Sequence, residues 1–506
     1  LSVAKKDNTK LILVGLMLGI LIASMDNTIV TTAMGTIVSE LGGMEQFVWV
    51  TSAYMVTVMA GTPIFGKLSD MYGRKRFFIF GIIMFLLGSI LCGMAGSIVQ
   101  LSIFRAIQGV GGGALMPIAF TIIYDIFPVE KRGKMTGLLG AVFGTSSIFG
   151  PLLGAYITDS WGWNWVFYIN LPIGLIALAL IIVFYKESLS HIKQQIDWGG
   201  AFTLVGAVVC LMFALELGGE RFAWDSFVIL GLFAGFAVLF AAFLLIERRV
   251  LEPIISFGMF RNRLYTTSCI LALLYGAVFI IATVYIPIYV QGVFGGSASN
   301  SGFILMPMMI GSVVGSMMGG MLSSRFSYRS VMMLSVVCFL GGIFALSTLS
   351  VDSTRTMLTL YSILTGFGVG FSFSVLSMAS VHHFDMHQRG AATSTNSFLR
   401  SLGMTLGITI FGIIQRNLVA SNMAEAFQGM GQSGQSFGNL QETLTPENRA
   451  LIPPAILDKI SAALSSSIAQ TFMWALIPTA LAVVVVIAMP KDRIRREVHE
   501  LSEQQG

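Results

Sequence analysis

Charge is what this sequence has least of. Thirty Lys+Arg and 25 Asp+Glu leave only 11% of 506 residues charged, against about 25% in a soluble globular protein. Such a chain has too little charge to coat a water-facing surface. Cysteine is scarce too: Cys92, Cys210, Cys269 and Cys338 all lie in apolar runs without CxxC spacing, and read as buried small apolar residues. The net charge of +5 forms no basic stripe interleaved with aromatics, which argues against a nucleic-acid partner.

Apolar residues fill the space that charge leaves. They make up 55% of the chain, mean hydropathy is +0.81, and apolar runs long enough to cross a bilayer as helices recur along it. Fourteen spans are expected near 11–38, 47–68, 77–96, 98–123, 134–157, 166–184, 198–217, 225–246, 264–291, 301–322, 330–350, 355–379, 391–415 and 468–489. The first is longer than a signal-peptide core and is expected to remain in place. The fold class is therefore an all-α polytopic membrane protein. Of the 30 basic residues, 23 fall in the two tails and the connections on their side, five fall opposite, and Arg105 and Arg400 lie within spans. That bias places both termini in the cytoplasm of a cell-membrane protein.

An internal repeat divides the chain. Gly66-Lys-Leu-Ser-Asp-Met-Tyr-Gly-Arg74 is echoed by Gly320-Met-Leu-Ser-Ser-Arg-Phe-Ser-Tyr-Arg329, an offset of 254, and Arg132-Gly133 by Arg389-Gly390, an offset of 257. Two six-helix bundles are expected, at 1–185 and 248–490, with an inserted helix pair at 186–247 and a tail at 491–506. Parallel repeats of this kind suit a transporter that rocks one half against the other. A long outer loop at about 417–467 is Gly/Gln/Ser-rich from Gln428 to Gly438. Beyond it, Leu457, Ile460 and Leu464 recur at helical spacing, the pattern of a short amphipathic surface helix or of a disordered spacer.

Ionisable residues inside spans are costly and mark function by default. Asp26 follows Gly15, Gly19 and Ala23, a small-residue stripe that admits neighbouring helices. Burial there opposes ionisation, making Asp26 a candidate proton carrier or partner for a cationic ligand; a structural hydrogen bond to Thr28 or another helix is the plainer alternative. Arg105 opens a polar face with Gln108, Gly109, Gly112 and Gly113, suited to alternating pairing with a carboxylate or to a structural network on backbone carbonyls. Glu216, near a span end, reads as a snorkelling carboxylate. Asp70, Arg74 and Asp125 at span ends are candidates for a charge latch. Gly137, Gly150, Pro151 and Gly154 belong to a dense small-residue face on the fifth span, suited to an interface between moving halves. Tyr54, Gln108 and Asn396 are candidate pocket residues.

Two patterns carry no chemistry. Gly61-Thr-Pro-Ile-Phe-Gly66-Lys67 nearly spells a phosphate loop, but Leu68 replaces the required Ser/Thr and no strand precedes it. His382, His383, Asp385 and His387 crowd one short connection without ligand spacing, so no metal site is assigned. No hydrolytic or redox constellation stands out, and no enzymatic activity is expected.

Taken together, these residues resemble the major facilitator superfamily and, within it, the fourteen-span drug:proton antiporters. Gly66 to Arg76 looks like the superfamily's loop 2–3 motif, with Met71 where a basic residue is usual. Asp70, Arg74 and Asp125 resemble its cytoplasmic gate. Arg105, Gln108 and Gly109 look like the span-four motif, whose arginine is implicated in proton coupling. Gly137, Ser146, Gly150, Pro151 and Gly154 resemble the antiporter motif, with Ser146 and Ala155 replacing glycines. Met25 to Ala33 looks like the group's first-span signature, with Gly35 where proline is common, and Trp163 to Gly174 resembles its sixth-span signature, with Asn164 for the usual arginine. The resemblance implies a monomeric exporter of amphipathic, often cationic, organic compounds that uses the proton gradient and needs no cofactor. A same-fold carrier of a lipid, peptide or metabolite, or a non-transporting receptor, remains open at this level.

Overall fold

The computed structural model describes residues 8–42, 48–187, 197–219, 221–250, 252–295, 298–427 and 453–493. These residues are helical almost throughout; an isolated bridge pairs Gly218 with Phe222. The first bundle comprises α1 (Asn8–Leu41), α2 (Val48–Tyr72), α3 (Arg74–Gly93), α4 (Ile98–Ile126), α5 (Val129–Trp161), α6 (Asn164–Tyr168) and α7 (Asn170–Phe184). Two further helices, α8 (Trp198–Leu217) and α9 (Phe227–Glu247), pack on each other. The second bundle comprises α10 (Arg263–Gly292), α11 (Ala298–Leu322), α12 (Tyr328–Ser347), α13 (Arg355–Val381), α14 (Arg389–Ala426) and α15 (Pro454–Ala488).

Helices satisfy every interior backbone group within one segment, which a bilayer demands. Their exposed first turns are capped from the sequence: Ser97, Asp197, Ser226, Asn262, Ser327 and Thr354 each accept a main-chain N–H of the helix that follows. Thirteen helices among the described residues are long and apolar enough to cross a membrane. The remaining expected span, α2, is 25 residues long but is diluted by Thr51, Ser52, Tyr54, Thr57 and Thr62, because it packs against α4 and α14 inside the molecule. The sixth span, Asn164–Phe184, comprises α6 and α7 joined through Ile169, whose backbone stays in the right-handed helical region.

One expectation needs correcting. The long outer loop is shorter than 417–467, since α14 runs on to Ala426 and α15 starts at Pro454. Leu457, Ile460 and Leu464 lie on α15 itself; Ile460 and Leu464 are buried in the main core. Their helical spacing was therefore that of a continuing span, and Gln428 to Gly438 lie outside the described residues.

With an even number of crossings, α1 begins and α15 ends on the same side, here called the terminal face. The two bundles meet along two seams, α2 with α14 and α5 with α11. Both are tightest towards the terminal face, where backbone touches backbone. Gly66 lies against Gly390 and Ser394, and Gly133 against Gly320, so a Cβ at any of these four glycines would strike the opposite bundle. The partners are exchanged repeat for repeat: Gly66 and Gly320 are equivalent by the offset of 254, Gly133 and Gly390 by 257. An approximate two-fold axis thus runs between the seams.

Candidate functional site

Asp26 sits just past the middle of α1 with no exposed surface. One carboxylate oxygen, Oδ2, is ion-paired with Nη1 of Arg105 from α4, itself fully buried. The other, Oδ1, accepts Nε2 of Gln108 at 2.8 Å and Nδ2 of Asn170 at 3.1 Å. Gln108 Nε2 and Asn170 Nδ2 are both within reach of Ser89 Oγ on α3, at 2.8 and 3.3 Å. Arg105 also donates Nη1 to Gln108 Oε1 at 2.6 Å and Nε to the Val50 carbonyl at 3.2 Å. Its guanidinium lies over the Tyr54 ring at 4.2 Å, and Tyr54 donates its hydroxyl to the Ala23 carbonyl at 3.2 Å.

The sequence dictates this convergence locally. Arg105 and Gln108 are three residues apart and share one face of α4. Asn170 opens α7 and points its amide at Asp26 and Ser89. The charges neutralise each other, so the low dielectric raises the cost of separating them. Removing one partner of such a pair costs about 3–5 kcal/mol, because the other is left buried and uncompensated. Among the described residues, Arg105 Nη2 and Asn170 Oδ1 are buried without a hydrogen-bond partner, leaving one donor and one acceptor free in an otherwise satisfied cluster.

The helix carrying Asp26 is tied to the seam by α5. Gly150 packs on Thr28 and Gly154 on Thr32, while Ser24 donates to Ser146 Oγ at 2.7 Å. Pro151, half-buried within the helix, lies between those glycines. Nearer the terminal face, Gly137 of the same helix packs on Ser316 and Met317 of α11. One helix thus touches the Asp26 helix at one end and the opposite bundle at the other.

Asp70, Arg74 and Asp125 form a second cluster at the terminal face. Arg74 donates Nη1 to Asp70 Oδ1 at 2.8 Å, and its Nε is ion-paired with Asp125. Asp70 accepts the main-chain N–H groups of Gly390 and Ala391, each at 2.8 Å, where the positive end of α14 favours a carboxylate. Arg389 of the second bundle reaches Asp125 at 3.2 Å, and Arg74 Nη2 donates to the Met386 carbonyl. All three residues named from sequence therefore join in one latch across the α2/α14 seam. Thr121 and Thr393 meet beside it at 2.7 Å.

Sequence reasoning misread Glu216 and missed two residues. Asn396 is buried and donates to the Ser268 carbonyl at 3.2 Å, so it ties α14 to α10. Glu216 accepts the Ser52 hydroxyl on α2, so it is a packing contact of the inserted pair. Asn170 and Ser89 were missed; an amide just before Leu171-Pro172 at the start of an apolar run was the available signal for Asn170. The histidines near 382 part company: His382 faces Tyr328 Oη at 3.3 Å and His383 faces Asp492 at 3.0 Å.

Two bundles related by an approximate two-fold axis, with a buried ion pair in one and a charge latch between them, define a membrane protein of the Major Facilitator Superfamily. The model of that family matches residues 16–408, and the chain belongs to it. It is 58% identical over 499 residues, 98% of each chain, to Multidrug resistance protein 3 of Bacillus subtilis. It is 35% identical to the multidrug transporter protein MdtP of the same organism, over 92% of this chain and 87% of the relative. Among solved structures, the proton:xylose symporter XylE shares the fold with a TM-score of 0.64 at 13% identity, covering 98% of this chain and 99% of that one.

Proposed function

We propose that this protein exports amphipathic organic compounds, including cationic drugs, across the cell membrane in exchange for protons. The terminal face is cytoplasmic on this reading, supported by the 23 to 5 distribution of basic residues. Export of drugs is supported by the names of its relatives, a multidrug resistance protein and a multidrug transporter. The observation that carries proton coupling is the fully buried Asp26–Arg105 pair with its Gln108 and Asn170 donors.

A proton on Asp26 cancels the attraction that holds Arg105 and leaves a lone buried cation, a state the protein relieves by moving. Arg105 then falls back on Gln108 Oε1 and the Val50 carbonyl. The displaced α1 shifts α5 through the Gly150 and Gly154 contacts, and α5 carries the change to α11. With both seams shut at the cytoplasmic side, the arrangement described here is the one in which substrate is released outside. Asp26 serves as the proton site in this scheme, because a cationic drug would have to displace Arg105 to touch it.

The test is proton release from inside-out vesicles carrying a pH gradient when ethidium is added. Wild type should release protons and Asp26→Asn should not. Release that survives in the variant, or ethidium binding without release, overturns the assignment.

A further inference from the structure

The charge latch has a counterpart that lacks its charges. By the offset of 254, Asp70 and Arg74 correspond to Ser324 and Tyr328; by 257, Asp125 and Arg389 correspond to His382 and Arg132. The contacts correspond too: the pairing of Arg74 with Asp125 becomes Tyr328 Oη against His382 Nδ1 at 3.3 Å. In the first cluster two arginines face two carboxylates. In the second, Arg132 forms no ion pair among the described residues and feels Asp125 only at longer range.

Between those residues lies a cavity of about 50 Å³, lined by Tyr124 and Arg132 of the first bundle and by Tyr328, His382 and Arg389 of the second, with Met378 and Val381 behind. That is room for a small polar group. Arg132 spends Nε on the Phe127 carbonyl at 3.0 Å and forms no ion pair among the described residues. Tyr124 is 1% exposed, with its hydroxyl beside Thr136, and Arg389 Nε is buried without a hydrogen-bond partner. Two guanidiniums thus converge on the cavity from both sides of the seam. The carboxylates nearby are committed elsewhere, Asp125 to Arg74 and Arg389, and Asp492 to His383.

We propose that this cavity is an anion site that binds a phosphate group, taking the place that Asp125 fills in the other cluster and pinning the two bundles together at the terminal face. A tetrahedral oxyanion offers acceptors to both arginines and to the tyrosine hydroxyls, and arginine forks favour phosphate. The phosphate comes either from solution or from an anionic lipid headgroup, since basic pockets between spans near the membrane surface accept both. The site is independent of the Asp26 cluster and does not require the export reading.

The test uses the full-length protein in nanodiscs. Its melting temperature is followed while inorganic phosphate is titrated at constant ionic strength in phosphatidylcholine discs, and again in discs containing phosphatidylglycerol. Wild type should show a saturable rise on the order of a few degrees. A rise on adding phosphate in phosphatidylcholine identifies a soluble ligand; a higher melting temperature in phosphatidylglycerol discs before any phosphate is added identifies the lipid. Arg132→Gln should lose the response. His382→Asp, which supplies the missing carboxylate from within, should lose it too while melting at or above the unliganded wild type. No response in either disc, or a full response in both variants, overturns the proposal.

Discussion

The two repeats share a backbone plan and differ in where they keep charge. In the first, Asp26, Arg105 and Gln108 fill the bundle interior, and Asp70, Arg74 and Asp125 its terminal edge. In the second, Arg105 and Gln108 correspond by the offset of 257 to Ser362 and Thr365, which bond only to carbonyls of their own helix. The glycines that bring α3 and α12 onto these helices, Gly88 and Gly342, correspond by 254 and make the same approach. Packing has been kept in both repeats, whereas the buried carboxylate–arginine pair occurs in one; the second keeps Arg400, which donates to Ser372. On the proposed function, the first repeat is the one that switches and the second the body it moves against.

This contrast can be broken at several strengths. The largest effect is expected from Arg105→Ala, which strands Asp26 and should abolish substrate-driven proton release, with a stability loss of about 3–5 kcal/mol in a denaturation assay. The corresponding Ser362→Ala should leave transport near wild type, because only a local helix bond is lost. Asp70→Asn weakens the partner of Arg74 and the two α14 N–H groups. A cysteine pair at Thr121 and Thr393 reports on that seam, and its cross-linking yield should drop several-fold in the variant. Asn170→Ala removes one donor to Asp26 at a cost of about 1–3 kcal/mol, read as reduced but measurable ethidium-driven proton release.

The smallest effect concerns pH. Burial, then the neighbouring His383, holds His382 below the usual histidine range, against the pull of Asp492. The folded protein therefore resists protonation there more than the unfolded chain does, so stability is full above the ordinary histidine value and declines as pH falls through it. His382→Asn should flatten the melting temperature between pH 7 and pH 5 by a degree or two.

Much of this was legible beforehand because membrane burial makes polar residues conspicuous. Asp26 and Arg105 stood out as charges in apolar runs, and Asp70 and Arg74 sat in a repeated motif whose spacing also gave the two-half plan, with Asp125 at the end of the fourth span. Asn396 was equally conspicuous, and in this structure its amide donates to the Ser268 carbonyl, a bond that sequence does not distinguish from one awaiting a ligand. Asn170 is a single uncharged amide in a strongly apolar span, which hydropathy does not separate from an ordinary packing residue. The continuation of α14 and α15 beyond the expected spans was hidden for the opposite reason. Their outer turns carry Arg416, Asn417, Asp458 and Lys459, and polar turns read as loop.

The inserted pair lies on one flank of the molecule. Val56, Met59 and Ala60 of α2, Phe398 of α14 and Leu204, Val208 and Met212 of α8 share one apolar cluster, so α8 lies over the α2/α14 seam from the lipid side. Glu252, just beyond α9, reaches Lys67 at 2.6 Å, and Arg416 of α14 donates to the Gly219 carbonyl at 2.7 Å. No described helix covers the α5/α11 seam in the same way. A lipophilic molecule dissolved in the membrane therefore approaches a nearly two-fold body with one seam shielded by α8 and, among the described helices, the other bare.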